Sequence, residues 1–360
     1  MEYRISKKEG ILLLVIVMTN QLLLNIPNNF LKSTSTGLFL NTIYITIIAV
    51  VFALLIAKLF KSFATKDILD VSEYLGGKVL RVIIGIAYIT FFVIISTTLV
   101  RYMAHSLTVI YFSSTPIAFI LLLFLVPAAY INCLGLKAIA RMNILIILAA
   151  LFTMIIIGIS LFQDLDFNYL FPILGYGINE TFLIGISNIA VFSLFGFLYF
   201  LPPLLREPND FRKISIISVA ISGAYLIFTS TLLLVVFPYI THSNELMSGF
   251  LLARLVEYGE FIQRIDALFI FIWILATLSY ISITLFFILS IFKKLTGIKR
   301  QSVIAPSIAI LILGLALAIQ RSSNLEFIEQ YIYKYFALIL IFGFSFLILL
   351  LATLKQRRNS

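Results

Sequence analysis

The sequence predicts an all-α polytopic membrane protein of about ten crossings, built as two five-helix halves of inverted topology with the first and sixth helices broken. Three observations carry that prediction. Apolar runs of membrane-crossing length recur along all 360 residues, with 62% hydrophobic residues and 12% charged ones. A mean hydropathy of +1.12 is more than a water-soluble domain sustains. Basic residues crowd into alternate loops, and the first and sixth runs carry polar groups or glycine near their centres.

A hydrocarbon core about 30 Å thick needs roughly 20 apolar residues per helical crossing. The runs between charge clusters place crossings at 10–31, 37–57, 82–109, 115–134, 142–162, 180–202, 214–238, 265–292, 302–320 and 332–353. They form a single transmembrane domain over 1–360, with a first repeat over 10–162 and a second over 180–353. The first run is too long for a signal-peptide core and lacks a small-residue cleavage site, so it reads as a retained crossing. Cys133 has no partner cysteine, which excludes an internal disulfide and a cysteine metal site.

Orientation follows from lysine and arginine, which stay on the cytoplasmic side of short loops. One side holds Arg4, Lys7 and Lys8; Lys58, Lys61, Lys66, Lys78 and Arg81; Lys137 and Arg141; Arg206, Arg212 and Lys213; Lys293, Lys294, Lys299 and Arg300; and Lys355, Arg357 and Arg358. The other keeps Lys32, Arg101, Arg254, Arg264, Arg321 and Lys334. Both termini are therefore expected in the cytoplasm. The net charge of +10 reads as a topology signal and an affinity for anionic membrane lipids, not as a nucleic-acid surface. Two loops read as more than connectors. "MSGFLLARLVEYGEFIQR" (Met247 to Arg264) spaces Phe250, Leu251, Leu255 and Val256 as an interfacial helix, and "TKDILDVSEYLGG" (Thr65 to Gly77) reads as a short capped helix ending at paired glycines.

Crossing one reads "MTNQLLLNIPNNF" from Met18 to Phe30, with Asn20 and Gln21 near the middle of the run and Asn25 and Pro27 a turn later. An amide in hydrocarbon costs several kilocalories unless its hydrogen bonds are met inside the protein, so these must face something polar. A helix that unwinds at the midplane to hold a small polar ligand is one solution, and inverted repetition then requires crossing six to break as well. Crossing six, "ISNIAVFSLFGFLYFLPPLL" from Ile186 to Leu205, has Ser193 and Gly196 near its centre, and Gly196 is where a break is expected. The expected ligand-binding set is Thr19, Asn20, Gln21, Thr97, Thr98, Ser193, Phe195, Gly196, Phe197, Tyr199, Thr277 and Tyr280. Ser96, Ser279 and Ser282 are further hydroxyls on crossings three and eight, where bonding to their own helix carbonyls is the ordinary outcome.

Several stretches resemble the endospore germination permeases, the B subunits of spore nutrient-germinant receptors and a branch of the amino acid/polyamine/organocation transporter superfamily. "GEFIQRIDALFIFIW", Gly259 to Trp273, is similar to that family's Gly-x-Phe-Ile-Glu-Arg-x-Glu-Ala-x-Phe signature, with Gln263 and Asp266 where the family commonly has Glu. "STPIAFILLLFLVPAAYINCLGLKAIAR", Ser114 to Arg141, matches at Thr115, Pro116, Tyr130, Gly135 and Arg141, with Lys137 at a position associated with an acidic residue. Arg101, the opening Ile5-Ser6 and Pro27 fit too. The resemblance implies a ten-helix LeuT/APC-like inverted-repeat fold, germinant recognition in the spore inner membrane, and a complex with a membrane A subunit and a lipoprotein C subunit.

Two functions compete. The first is a sensor in which a small nutrient such as an amino acid binds between the broken segments and biases an equilibrium that partner subunits read. The second is an ion-coupled amino acid permease. No ionisable group lies near the middle of any crossing, which weighs against proton coupling, whereas sodium near Asn20 and Thr277 stays open. A pore within the subunit fits the same small polar residues. No cofactor is expected. An enzyme is not expected either, because His105 and His242 have no nucleophile or ligand spacing around them and no phosphate loop or paired-carboxylate arrangement occurs.

Overall fold

The computed structural model describes residues 4–22, 26–237, 248–256, 265–298, 303–320, 325 and 327–359. Among them every extended element is helical: α1 (Lys7–Leu22), α2 (Ile26–Thr34), α3 (Leu38–Phe60), α4 (Ile68–Ile110), α5 (Ile117–Leu134), α6 (Leu136–Ser160), the one-turn α7 (Phe195–Leu198), α8 (Phe211–Val236), α9 (Ser248–Arg254), α10 (Ile265–Thr296), α11 (Ala305–Ala318) and a last run, α12, over 328–359. Seven of the described helices are long and apolar enough to cross a bilayer. With the first crossing, whose residues 23–25 lie outside the described residues, the broken sixth crossing and the shorter α11, they make up the ten expected crossings.

The residues expected on one side of the membrane meet at one end of the bundle. Ile5 N–H donates to the Leu204 carbonyl at 2.9 Å, and Arg206 N–H donates to the Ile5 carbonyl at 3.0 Å, stitching the N-terminal segment to the end of crossing six. The capped helix expected there begins at Asp67, whose Oδ1 accepts from Leu69 N–H and Asp70 N–H at 3.0 and 3.1 Å. Asp70 in turn accepts from Asp67 N–H at 3.3 Å, completing a reciprocal cap. Lys294 at the end of α10 sits 2.7 Å from both carboxylates. Burial pushes the Asp67 carboxyl up from its ordinary value, and the Lys294 ammonium opposes that shift. The helix stops at Gly76 and Gly77; Gly77 has φ +70°, which only glycine adopts without strain, and α4 then continues as crossing three.

Helix α10 is the centre of the bundle: 78% of its span is buried inside the protein, against 33–56% for the other long spans. The outer helices turn a regular apolar stripe outward, as Leu145, Leu148, Phe152, Ile155, Ile159 and Phe162 do along and just beyond α6. Residues at this spacing share one helix face, and their exposure is what a lipid-facing surface requires. The segment from Ser248 departs from its expected form. Phe250, Leu252, Ala253 and Val256 are buried against α8 and α10, while Leu255 is exposed, so α9 docks on the bundle through a face offset from the expected one. Residues 257–264, with Glu257, Glu260, Gln263 and Arg264, lie outside the described residues, as do Asn25, His242, Lys299, Arg300 and Arg321.

Candidate functional site

Crossing six does not form an α-helix longer than one turn. It opens as a wide π-helical coil over Asn179–Ile184, tightens to a 3-10 coil over Gly185–Phe192, passes through α7 and closes with a 3-10 turn at Pro202–Leu204. Its composition disfavours a regular helix, because β-branched residues, Ser193, Gly185, Gly196 and the Pro202-Pro203 pair each lower helix propensity. Ser193, Gly196, Phe197, Phe200, Leu201 and Leu204 N–H all donate three residues back instead of four. The segment is therefore broken as an α-helix while many of its amides remain bonded within the coil. Gly196 itself falls inside the α7 turn and not at a gap in the coil.

The wide turn leaves carbonyls to be served from outside, and α3 supplies the donor. Asn41 is fully buried; its Nδ2 donates to the Thr181 and Gly185 carbonyls at 2.7 and 3.0 Å, and its Oδ1 accepts from Asn188 Nδ2 at 2.9 Å. Gly185 has to be glycine, since a Cβ there would overlap the Asn41 amide. A similar service appears lower down. Tyr199 Oη donates to the Ile341 carbonyl at 3.0 Å, and the Tyr88 and Ser345 hydroxyls bond at 2.7 Å, both within or at the end of the π-helical stretch Leu338–Ser345 of α12.

Crossing one is divided into α1 and α2, with residues 23–25 outside the described residues. Asn20, near the end of α1, is buried, and its Oδ1 accepts from Thr277 Oγ1 of α10 at 3.4 Å. Its Nδ2 has no partner among the described residues. About one turn along the same face of α10, the buried Tyr280 hydroxyl also has no partner. Tyr333, at the start of α12, lies within electrostatic reach of Tyr280 and hydrogen-bonds the Ser193 hydroxyl of crossing six. Its ring stacks on Phe91 at 5.7 Å. Two polar pairs thus join elements, Asn20 with Thr277 between crossing one and α10, and Ser193 with Tyr333 between crossing six and α12. An unmet buried donor costs about 1–3 kcal/mol, and Asn20 Nδ2 and Tyr280 Oη share that state with other buried groups such as Ser96 Oγ, Thr97 Oγ1 and Asn143 Nδ2, none of which has a partner among the described residues.

Of the expected set, Asn20, Thr277 and Ser193 belong to these two pairs, with Tyr280 within electrostatic reach of Tyr333. Thr97 is buried on α4 with its hydroxyl unpartnered among the described residues. Thr19 and Thr98 spend their hydroxyls on their own helices, donating to Val15 and Ile94 carbonyls at 2.8 and 3.0 Å. The Gln21 side chain lies outside the described residues. Phe195 packs edge-on against Phe52 and Phe342, and Phe197 stacks on Phe92 at 4.6 Å and meets Phe287 at 4.9 Å, so both belong to the aromatic core. Gly196 is enclosed by side chains, because a Cβ there would meet Ile341, Phe91 and Tyr88 at 3.4–3.5 Å. Asn41 and Tyr333 were not among the expected residues. A lone asparagine in "GLFLNTIYI" was the available signal for the first, whereas the "QYIYKYF" cluster does not single out Tyr333. A small cavity between α6, α8 and α10, lined by Thr153, Met154, Tyr225, Phe269, Trp273 and Ala276 among others, includes none of the expected residues.

Comparison with known proteins agrees with this architecture. A family of spore germination proteins matches residues 4–325. Spore germination protein YndE of Bacillus subtilis is 23% identical over 67% of this chain, and spore germination protein B2 of the same organism is 20% identical over 65%. These matches span 66% and 63% of the relatives' own lengths, just under two thirds. A Na+-coupled sialic acid symporter, solved substrate-bound and outward-open, superposes with a TM-score of 0.66 at 13% identity, covering 98% of this chain and 79% of the symporter. That likeness shows the polytopic all-α transporter fold.

Proposed function

This chain belongs to the spore germination protein family and is an integral membrane protein, not an enzyme, and from that premise we propose that it is the nutrient-sensing membrane subunit of a germination receptor. In this reading a small amino acid binds beside Asn20, Thr277, Tyr280 and the Ser193–Tyr333 pair. The binding biases an equilibrium between arrangements of the broken crossings, which a membrane A subunit and a lipoprotein C subunit read. The chain would sit in the spore inner membrane with both termini cytoplasmic.

The observation that supports the reading is that Asn20 Nδ2, whose residue bonds Thr277, and Tyr280 Oη one turn along α10 are buried with no partner among the described residues. Both can donate to a carboxylate. In this reading backbone carbonyls near the end of α1 would meet the ammonium group, since the C-terminal end of a helix favours a cation. One small zwitterion satisfies both ends without any charged side chain in the site.

Thr277→Val keeps the side-chain volume and removes the hydroxyl that reaches Asn20. Affinity for the activating amino acid should fall about tenfold, equivalent to about 1.4 kcal/mol, with little change in thermal stability. Titration calorimetry and thermal unfolding of the detergent-solubilised protein measure the two separately. Unchanged affinity would remove Thr277 from the site.

The competing reading, an ion-coupled permease with sodium at the Asn20 and Thr277 oxygens, is distinguished by reconstituting the chain alone in vesicles. Saturable amino acid binding without concentrative uptake is the expected result. Uptake driven by a sodium or proton gradient would replace the sensor with a transporter.

A further inference from the structure

We propose that residues 169–178, between crossings five and six, form a strap embedded in the interfacial layer of the bilayer at the end of the bundle opposite the basic loops. The stretch reads "YLFPILGYGI" and contains no charged residue. Phe171, Ile173, Tyr176 and Ile178 are 65%, 42%, 54% and 65% exposed, so a non-helical segment turns large apolar side chains outward in sequence. Contiguous apolar surface of this kind marks contact with lipid or with another protein.

Two observations favour lipid. The patch continues a lipid-facing surface: the outward stripe of α6 runs through Phe152, Ile155, Ile159 and Phe162 into the loop, and Leu183, Ile184 and Ile186 carry it on beyond. Part of the backbone is also served from within the protein, as peptide groups away from water need. Phe171, Gly175 and Gly177 N–H donate to the Asn168, Pro172 and Leu174 carbonyls at 3.1, 2.8 and 2.9 Å. The Pro172 carbonyl also accepts from the Thr36 hydroxyl, and that of Leu174 accepts from Thr181 Oγ1 at 2.9 Å. Pro172 has no N–H to satisfy. A protein-docking patch ordinarily mixes its apolar centre with a polar rim, and this stretch offers no polar side chain beyond the Tyr169 and Tyr176 hydroxyls. Those suit the headgroup boundary, where tyrosine is enriched.

The strap is also fixed to the outer part of crossing one. Gly175, at φ +56°, lies so close to the Thr34 carbonyl and the Gly37 amide that a Cβ could not be accommodated. Thr181, which holds Leu174, is the residue whose own carbonyl is held by Asn41. Lipid packing around the strap thereby bears on crossings one and six.

The test places single cysteines at Phe171, Tyr176 and Ile178 in a Cys133→Ser background, with a fourth at Asp164 in the polar start of the loop. Each is labelled with an environment-sensitive fluorophore, and the chain is reconstituted alone in phosphatidylcholine vesicles. Lipids carrying a nitroxide at the headgroup or high on the acyl chain should quench the labels at 171, 176 and 178 strongly and aqueous iodide only weakly, with the reverse at 164. Iodide quenching at the three apolar positions as strong as at 164, with no effect of nitroxide lipid, would overturn the proposal. Protection from both quenchers only when other spore-membrane proteins are present would equally overturn it, assigning the patch to a protein partner.

Discussion

Replacing Asn41 by leucine is expected to destabilise the folded protein by about 3 kcal/mol, because it strands two buried carbonyls and one buried amide at once. Thr181 and Gly185 belong to the stretch where crossing six changes from a wide to a tight coil, and the donors that an α-helix would have supplied to their carbonyls are displaced there. Asn41 stands in for those donors from a helix about 140 residues earlier in the chain. Asn41→Asp should be at least as damaging, since a carboxylate has no proton for either carbonyl and would face them as a like charge. Thermal unfolding of the detergent-purified variants measures the loss. A leucine variant as stable as the parent would mean that the two carbonyls are served in another way.

Gly196→Leu is expected to abolish the nutrient response while the protein still inserts in the membrane. The cause is enclosure. A Cβ at Gly196 would touch Ile341, Phe91 and Tyr88 at ordinary contact distance, so alanine fits and anything larger must displace them. Phe91 supports the Tyr333 ring that bonds Ser193, and Tyr88 holds Ser345. Overpacking a fitted core costs about 1–3 kcal/mol, and displacing Phe91 and Tyr88 disturbs the packing behind the Ser193–Tyr333 pair. Dose–response curves for germination, read alongside membrane-fraction immunoblots, separate lost sensing from lost protein. Gly196→Ala should respond like the parent, and a leucine variant with an unaltered dose response would show that this position does not bear on recognition.

Most of the architecture was readable before any contact was known. Each crossing depends on a sum over about twenty consecutive side chains, and such sums survive error at single positions. The helix at Ile68 was readable because Asp67, Asp70 and the Gly76-Gly77 pair act within a few residues of one another. Crossing six was readable as broken, from its centre and from the symmetry with crossing one, but the form of the break was not. Gly196 suggested a point of unwinding, whereas the chain shifts its hydrogen-bond register over the whole stretch from Asn179 through Leu204. The helix at Ser248 shows the same limit. Spacing alone grouped Leu251 and Leu255 with Phe250 and Val256 on one interfacial face, and docking against α8 and α10 buries Leu252 and Ala253 beside Phe250 and Val256 while Leu255 stays exposed.

The candidate site divides along the same line. Asn20 and Thr277 were conspicuous as polar groups in apolar runs, and they meet. Thr19 and Thr98 were equally conspicuous and spend their hydroxyls locally, while Tyr333 sat unnoticed among other tyrosines. From sequence alone come the membrane environment, the ten crossings, the alternation of basic loops and the interruption of crossing six, because hydrophobicity, charge and helix propensity act residue by residue along the chain. Only the tertiary structure decides which buried polar atoms find partners and which are left for a solute, because that depends on which helix faces which, and a hydrogen bond tolerates an error of less than an ångström where a hydrophobic run tolerates several residues.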